Sequence, residues 1–123
     1  MPKQVVDVVG VPKGGPYSHA VIAGDFIFVS GQAGYVPGNE NDFDSQFTNA
    51  INNISKILEA AGSSLKNVVK VTVYLSDRKY FERMNELFKK YFGENPPART
   101  TIITGFINPN MLIEIDVIAI KEK

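Results

Sequence analysis

The sequence contains no cysteine and only one histidine, His19. Without thiols the chain cannot form disulfides, use thiolate catalysis or hold zinc through cysteine. With one histidine it cannot build a multi-histidine metal site or a histidine proton relay within one subunit. We therefore expect no metal, and we expect His19 to be structural or exposed because no second ligand lies near it. Any chemistry must come from carboxylates, hydroxyls, amides, lysines or arginines.

The chain also lacks net charge and long apolar runs. Thirteen basic and thirteen acidic residues cancel, which argues against a general affinity for nucleic acid or an anionic membrane. No apolar run approaches the roughly 20 residues needed to cross a bilayer. Asp7 interrupts the short apolar stretch near the start, so we expect no signal peptide. These observations favour a cytoplasmic protein without nucleic-acid or membrane partners.

The chain length of 123 residues suits a single domain spanning residues 1–123. Hydrophobic periodicity and turn residues predict two helices, one from 43 to 61 and one between 77 and 93. They also predict strands at 3–9, 20–23, 26–30, 68–75, 98–104 and 112–120, the last two joined as a hairpin. The order βββαβαββ indicates an α+β fold with a mixed sheet and both helices on one face.

Several predicted strands are apolar on both faces. Two helices can cover only one face of the sheet, and a large apolar face is unlikely to remain in water. A second copy of the same sheet is the simplest cover, so the pattern predicts a homo-oligomer built through the face away from the helices. The residues behind this prediction are Val21, Ile22, Phe26, Ile27, Phe28, Val29, Val117, Ile118, Ala119 and Ile120.

Arg99 is an unusual residue for its place in the chain. It follows Pro96 and Pro97, which cannot donate to a strand ladder, and so begins a predicted strand. The other two arginines, Arg78 and Arg83, lie on a predicted helix. The rigid fork of arginine suits a carboxylate. Two interpretations remain open: Arg99 binds an external carboxylate, or it reaches water or an acid of its own fold.

Glu114 and Asp116 are two residues apart on a predicted strand, so both point to the face opposite Ile113 and Ile115. A carboxylate held among isoleucines can have a raised pKa or orient a water as a general base. Alternatively, this is the solvated face of the strand and Arg99 is a structural ion-pair partner. Whether Arg99 and Glu114 share a face depends on the hairpin register, which the sequence leaves open.

Two further polar features remain ambiguous. Ser30, Gly31 and Gln32 end a strand, where they can present N–H and hydroxyl donors to an anion or simply form a turn. No histidine at a motif spacing activates Ser30 and no GxSxG elbow surrounds it, which argues against a serine hydrolase. Asn85 interrupts the second predicted helix, where it either faces solvent or hydrogen-bonds into a cleft.

Seven stretches, in order along the whole chain, resemble one family, the reactive intermediate deaminases (RidA, or the YjgF/YER057c/UK114 family). Single stretches carry little weight, but their combination at these spacings is specific. They are GPYSHAV (15–21), FVSGQ (28–32), LEAAGSSL (58–65), VVKVTVYLSD (68–77), MNELFKKYF (84–92), PPART (96–100) and IEIDVIAI (113–120).

The resemblance implies a chorismate-mutase-like (ferredoxin-like) subunit and a homotrimer with active sites in clefts between subunits. It also implies an activity, the hydrolysis of reactive enamines and imines such as 2-aminocrotonate and 2-aminoacrylate. The products are 2-oxo acids and ammonia. The chain would then be a 2-iminobutanoate/2-iminopropanoate deaminase that requires no cofactor.

The resemblance also assigns roles to residues. Arg99 falls on the arginine that binds the substrate carboxylate, and Glu114 on the acid that orients the attacking water. The remaining implied substrate contacts are Tyr17, Ser30, Gly31, Asn85 and Thr101, the last at a position where many relatives carry cysteine or a hydroxyl residue.

Two loops depart from the family pattern. AGYVPGNENDF (33–43) has no clear P-x-TGE motif, and we expect this to alter the cleft mouth and the range of side chains accepted. FINPNM (106–111) replaces a common leucine-proline turn, and we expect only a changed turn. The alternative function is a non-catalytic, trimeric small-carboxylate-binding or regulatory protein, against which Arg99 counts. A ribonuclease role, also attributed to the family, fits poorly with zero net charge.

Overall fold

The computed structural model describes residues 2–122. Its elements follow the predicted order βββαβαββ, with short 3₁₀ turns at Leu65–Asn67 and Arg78–Tyr80. Their bounds are β1 (Gln4–Val6), β2 (Ala20–Ala23), β3 (Phe26–Ala33), α1 (Phe43–Ala60), β4 (Val68–Leu75), α2 (Phe81–Phe92), β5 (Ala98–Ile103) and β6 (Ile113–Ile120). β1 is shorter than predicted, whereas β2 and β4 have the predicted bounds.

The six strands form one mixed sheet in the order β1-β2-β3-β6-β4-β5. β4 and β5 are parallel, and all the other neighbours are antiparallel. β4, α2 and β5 make a βαβ unit, in which the helical crossover allows two parallel strands to pair directly. The predicted hairpin between the last two strands is therefore wrong, because β4 lies between β5 and β6. The α+β class and the mixed sheet with both helices on one face are confirmed.

The helices begin and end where their local sequence directs. The Asp42 side chain accepts a hydrogen bond from the Ser45 N–H and caps α1. Gly62, with φ of +84°, follows the end of α1 in the left-handed region. Asp77 caps the 3₁₀ turn that leads into α2 rather than α2 itself. None of the helices among the described residues is long and apolar enough to cross a membrane.

The two faces of the sheet differ in burial. Alternate residues of β4 and β6 are buried against the helices, namely Val71, Val73, Leu75, Ile113, Ile115, Val117 and Ala119. A register shift between Val68 and Lys70 buries Val68 and leaves Val69 41% exposed. Val69 therefore does not share the buried face of Val71, Val73 and Leu75, because a bulge reverses the alternation there.

The face away from the helices, here called the open face, carries exposed apolar side chains. Phe26 and Phe28 are 48% and 45% exposed on β3. Phe28 is paired with Val21 on one side and with Ile118 on the other, so these residues form one patch. The open face is thus apolar where β2, β3 and β6 meet, as the two-sided strand pattern predicts.

One buried amide fixes two of the long loops. Gln46 of α1 is fully buried, and its Nε2 donates to the carbonyl oxygens of Asn39 (3.0 Å) and Asn110 (2.9 Å). Its Oε1 accepts from the Leu112 N–H at 2.8 Å. Gly34 lets the backbone of the β3–α1 loop lie close to the backbone of α1, because a Cβ at this position would lie 1.9 Å from the Gln46 backbone oxygen. The β3–α1 loop (34–42) and the β5–β6 loop (104–112) are therefore anchored to the same side chain.

Candidate active site

The Glu114 carboxylate lies on the open face, directly against Gly31. A Cβ added at Gly31 would lie 2.5 Å from Glu114 Oε2, so only glycine leaves room for the carboxylate in this position. Gly31 stands in a register shift of β3 between Val29 and Gln32, where the strand departs from regular pairing with β6. The bulge therefore brings a backbone segment without a side chain under the acid.

The environment of Glu114 favours its protonated form. Partial burial raises the pKa of Glu114, and the negative charge of Asp116 raises it further. Asp116 accepts a hydrogen bond from the Tyr74 hydroxyl at 2.7 Å, and that bond, together with burial and the negative charges of Asp116 and Glu114, raises the pKa of Tyr74 to about 12. Asp116 is thus occupied by a partner, whereas Glu114 is left as the carboxylate able to exchange protons with a ligand.

Tyr17 and Ser30 border the same carboxylate, but their hydrogen-bonding capacity is partly used. The Tyr17 hydroxyl accepts from the Gly14 N–H at 2.9 Å, which leaves its own O–H free to donate. The Ser30 hydroxyl donates to the Ser18 carbonyl at 2.6 Å, and the Ser30 N–H donates to the His19 carbonyl at 2.9 Å. Both donors of Ser30 are thus used within the chain, so its hydroxyl oxygen can serve a ligand only as an acceptor.

Two adjoining cavities open onto this group of residues. One of about 280 Å³ is lined by Tyr17, Ser30, Gly31 and Glu114. The other, of about 360 Å³, shares Tyr17, Gly31 and Glu114 and extends to the two anchored loops. We call Tyr17, Ser30, Gly31 and Glu114 the carboxylate side of the site. A larger cavity of about 510 Å³ near the end of α2 contains none of these residues.

Gly31→Ala tests the close approach to Glu114. We expect the added methyl group to displace the carboxylate and to reduce ligand turnover about 10-fold or more, because small misplacements of a reacting group are costly. Gly105→Ala is the matched control, since nothing lies within 4 Å of a Cβ there. Activity should fall in Gly31→Ala and not in Gly105→Ala. A thermal melt of each variant shows that both are folded under the assay conditions. Equal activity in the two variants would contradict this role of Gly31.

Arg99 lies on the other face of the sheet, under α2. It is paired with Val71, whose side chain is buried on the helix face. Its guanidinium carbon is 4.8 Å from the ring centroid of Phe88 and 5.9 Å from that of Phe81, and one nitrogen is 3.5 Å from the Met84 sulfur. Stacking on aromatic faces holds a guanidinium in place without neutralising it.

Arg99 keeps its charge available. Between residues 2 and 122 it forms no salt bridge, in contrast to Arg83, which pairs with Asp44 at 2.6 Å. Desolvation lowers the pKa of Arg99, yet a guanidinium remains charged in proteins. The interpretation of Arg99 as a partner of Glu114 within one fold is excluded, because the two residues lie on opposite faces of the sheet.

Asn85 and Thr101 stand on the same side as Arg99. Asn85 is half-buried on α2, four residues after Phe81 and three before Phe88, so it shares their helix face. Thr101 follows Arg99 by two residues on β5, and its Oγ1 is buried without a hydrogen-bond partner among the described residues. A buried hydroxyl without a hydrogen bond lowers the stability of the fold. A bound ligand could supply the missing partner. We call Asn85, Arg99 and Thr101 the guanidinium side of the site.

Comparison with known proteins places the chain in a family. The family described as Endoribonuclease L-PSP matches residues 11–121. A RutC family protein of Pyrococcus horikoshii is 44% identical over 98% of this chain and 99% of its own length. The chain belongs to the RutC/RidA (Rid) family.

Two further similar proteins have names that state an activity or a bound molecule. The human 2-iminobutanoate/2-iminopropanoate deaminase is 38% identical over 87% of this chain and 81% of its own length. The crystal structure of E. coli TdcF with bound serine has a TM-score of 0.85 and 27% identity, covering 97% of this chain and 99% of that one. The sequence-based assignment to the Rid family is confirmed.

The structure of this Rid-family chain adds residues that the sequence patterns did not single out. Phe81, Met84 and Phe88 belong to the apolar stripe of α2, and their contact with Arg99 appears only in three dimensions. Gln46 did leave a signal, because it is a polar residue three positions after Phe43 on the apolar face of α1. His19 is buried, and its Nδ1 accepts from the Val8 N–H at 2.9 Å, which agrees with a structural role.

Proposed function

We propose that this Rid-family chain is a 2-iminobutanoate/2-iminopropanoate deaminase. It would hydrolyse reactive enamine and imine intermediates, such as 2-aminocrotonate and 2-aminoacrylate, to 2-oxo acids and ammonia. One observation carries the proposal: the chain holds an uncompensated guanidinium at Arg99 and a carboxylate of raised pKa at Glu114. The first suits the carboxylate of an α-imino acid, and the second suits deprotonation of a water molecule that attacks its C=N carbon.

The proposed site requires a second copy of the chain. Arg99 and Glu114 lie on opposite faces of one sheet, so one subunit cannot bring both to a small substrate. The apolar open face around Phe26 and Phe28 needs a cover, and a homotrimer packed through its sheets would supply it. Each site would then combine the carboxylate side of one subunit with the guanidinium side of its neighbour.

The chemistry needs only proton transfers and bond exchange with water. The imine reacts in its protonated form. The Glu114 carboxylate takes a proton from a water molecule as the water oxygen bonds to the C=N carbon and the C=N electron pair moves to nitrogen, which gives a carbinolamine. Glu114 returns that proton to the amino nitrogen. It then takes the hydroxyl proton as the C=O bond forms and the C–N bond breaks, ammonia leaves with the 2-oxo acid as product, and the proton passes to solvent. Arg99 holds the substrate carboxylate during these steps, so that the carbon stays next to the water. No atom changes its overall oxidation state, so no redox partner is involved.

The relatives support this proposal at the level of substrate class. The human relative is named for two α-imino acids, 2-iminobutanoate and 2-iminopropanoate, and the TdcF structure contains an amino acid, serine, with the same α-carboxylate. The family description also names an endoribonuclease. Zero net charge does not favour RNA binding, since phosphate contacts from lysine and arginine supply most of that affinity.

A coupled assay tests the proposal. Threonine dehydratase releases 2-aminocrotonate from threonine, and its conversion to 2-oxobutanoate is followed with and without the purified protein. We expect conversion to accelerate in proportion to protein concentration, and we expect light scattering to give the mass of three chains. A folded protein that leaves the conversion rate unchanged would contradict the deaminase assignment and leave the small-carboxylate-binding role as the better explanation.

A further inference from the structure

A cavity of about 310 Å³ lies beside α1, near the lower end of the volumes typical of small-molecule sites. It meets the cavity of about 360 Å³ at Pro12, Ala33 and Tyr35, which line both. No residue of the carboxylate side or of the guanidinium side lines it. Three asparagines of α1 do, and we therefore call it the amide cavity. They are Asn49, Asn52 and Asn53.

One face of α1 supplies the polar side of the amide cavity. The three asparagines and Lys56 follow the i, i+3, i+4, i+7 spacing of residues that neighbour one another on a helix surface. Asn52 and Lys56 are exposed, and Asn49 and Asn53 are half-buried. The proposed homotrimer packs through the open face, on the other side of the sheet from α1. A neighbouring subunit packed in this way leaves the amide cavity open to solvent.

A fixed wall opposite this helix face distinguishes it from an ordinary solvated face. The wall includes Gly34, Tyr35 and Val36, which follow β3. The Gly34 carbonyl accepts from the side-chain amides of Asn39 (2.9 Å) and Asn49 (3.1 Å), and the Val36 N–H donates to the Asn39 side-chain oxygen at 2.9 Å. The backbone on both sides of Tyr35 is therefore held in place. A preformed cavity costs its ligand less ordering of the protein.

Charge in the amide cavity favours an anion. Lys56 lines it, and no acidic residue does. The salt bridges between residues 2 and 122 do not include Lys56, so its ammonium is uncompensated. Such an ammonium forms charge-assisted hydrogen bonds with a carboxylate or a phosphate.

The asparagines favour hydroxyl groups on that anion. A side-chain amide carries two N–H donors and one carbonyl acceptor, and a hydroxyl group both donates and accepts. Asn49 uses one N–H to bind the Gly34 carbonyl, which leaves its Oδ1 as an acceptor. Asn52 and Asn53 add two complete amides within a helical turn of Lys56. Neighbouring hydroxyl groups of one small molecule can bond to several of these amides at once.

We propose that the amide cavity is a second binding site, which takes a small hydroxylated anion such as a sugar acid or a sugar phosphate. The anionic group binds Lys56, and the hydroxyl groups bind Asn49, Asn52 and Asn53. Carboxylate and phosphate share this chemistry, so the test separates them. The site is independent of the deaminase function, because it contains neither Arg99 nor Glu114.

Calorimetric titration of the full-length chain tests the ligand class. The Arg99→Ala variant is used, so that the guanidinium side cannot hold the anion. The probes are D-gluconate, glucose 6-phosphate, glucose and propanoate. We expect gluconate or glucose 6-phosphate to bind with a Kd of about 1 mM or below, and the tighter of the two identifies the anionic group. Glucose lacks the charge and propanoate lacks the hydroxyl groups, so both should bind about 10-fold more weakly or worse.

Two variants in the same background locate the site. Lys56→Ala should weaken binding of the tighter anion about 10-fold or more, and Asn53→Leu about 5-fold, as expected for lost charged and neutral hydrogen bonds. Lys89→Ala is the matched control, because Lys89 is an exposed helical lysine that lines the cavity of about 510 Å³ instead. Its Kd should stay unchanged. Thermal melts show that each variant is folded.

Three results would overturn the inference. The first is that neither anion binds at concentrations of about 10 mM. The second is that glucose or propanoate binds as tightly as the better anion, which would contradict the ligand class. The third is that Lys56→Ala and Asn53→Leu leave the Kd unchanged, or that Lys89→Ala abolishes binding, since the anion would then lie elsewhere. Binding is measured without turnover, so failure of the deaminase assay changes none of these outcomes.

Discussion

Glu114→Gln should lower kcat for imine hydrolysis about 100-fold or more, the usual contribution of a positioned general base. Glutamine has nearly the shape of glutamate, so it fits against Gly31 as the native side chain does. Its amide, however, cannot accept a proton from water and return it at neutral pH. The coupled dehydratase assay measures the loss, and circular dichroism with a thermal melt checks the fold. A variant that retains wild-type kcat would show that Glu114 is not the base.

The pH dependence of kcat/KM is a second test of the role of Glu114. Only the ionised carboxylate accepts a proton from water, so kcat/KM rises as pH rises through the pKa of Glu114. Burial, and secondarily the charge of Asp116, raise that pKa. The increase in kcat/KM should therefore occur at a pH above the usual pKa range of glutamate. Asp116→Asn removes the negative charge next to Glu114, so the increase in kcat/KM should shift to lower pH. A profile unmoved by Asp116→Asn would contradict this electrostatic coupling.

Arg99→Lys should reduce kcat/KM about 10- to 100-fold, in line with the loss of charge-assisted hydrogen bonds to a carboxylate. Lysine keeps the charge but not the two-pronged geometry or the stacking on Phe88. Arg99→Ala should be more severe. The matched control is Arg83→Ala, which removes an exposed arginine paired with Asp44 and should leave turnover unchanged. Equal effects of Arg99→Ala and Arg83→Ala would contradict the carboxylate-binding role.

Mixing variants tests whether one site uses two subunits. Arg99→Ala and Glu114→Gln chains are inactive separately, but unfolding and reassembling them together creates sites with Arg99 from one chain and Glu114 from another. With random assembly in equal amounts, about a quarter of the sites recover both groups. Recovery of activity near that level supports sites shared between subunits. No recovery in mixed oligomers of the right mass would place both groups of a site in one chain.

The helices and the strand alternation could be predicted because each depends on local sequence. The apolar repeat of α1 and its cap at Asp42 fix that helix with no knowledge of its neighbours. The alternation in β6 likewise places Glu114 and Asp116 on one face and Ile113 and Ile115 on the other. The family resemblance pointed to the polar residues that lie on the two sides of the candidate site, since its motifs are short and contiguous.

The pairing of strands could not be predicted from the same information. Alternation gives the face of a side chain but not the neighbouring strand, so β5 and β6 could be placed side by side although β4 separates them. The bulge at Val69 reverses local alternation without a sequence mark, whereas the bulge at Ser30–Gly31 is marked only by its glycine. Arg99 and Glu114 lie on opposite faces of the sheet because of the way β5 and β6 pair with β4. This arrangement is therefore visible only in the structure.

The anchoring by Gln46 also bears on how such a protein diversifies. Its amide bonds to main-chain atoms of Asn39, Asn110 and Leu112, which every residue type other than proline at the donor position can supply. The side chains of Tyr35 and Met111 line the cavity of about 360 Å³ and make none of these bonds, so they are free to vary while their backbone stays in place. Asn108 is not, because its Oδ1 accepts from the Asn110 N–H at 2.9 Å. A lineage can in this way explore new substrates through single replacements in these loops, without disturbing Glu114 or the folding of the sheet. Laboratory libraries restricted to positions 35 and 111 should find altered selectivity at little cost in stability.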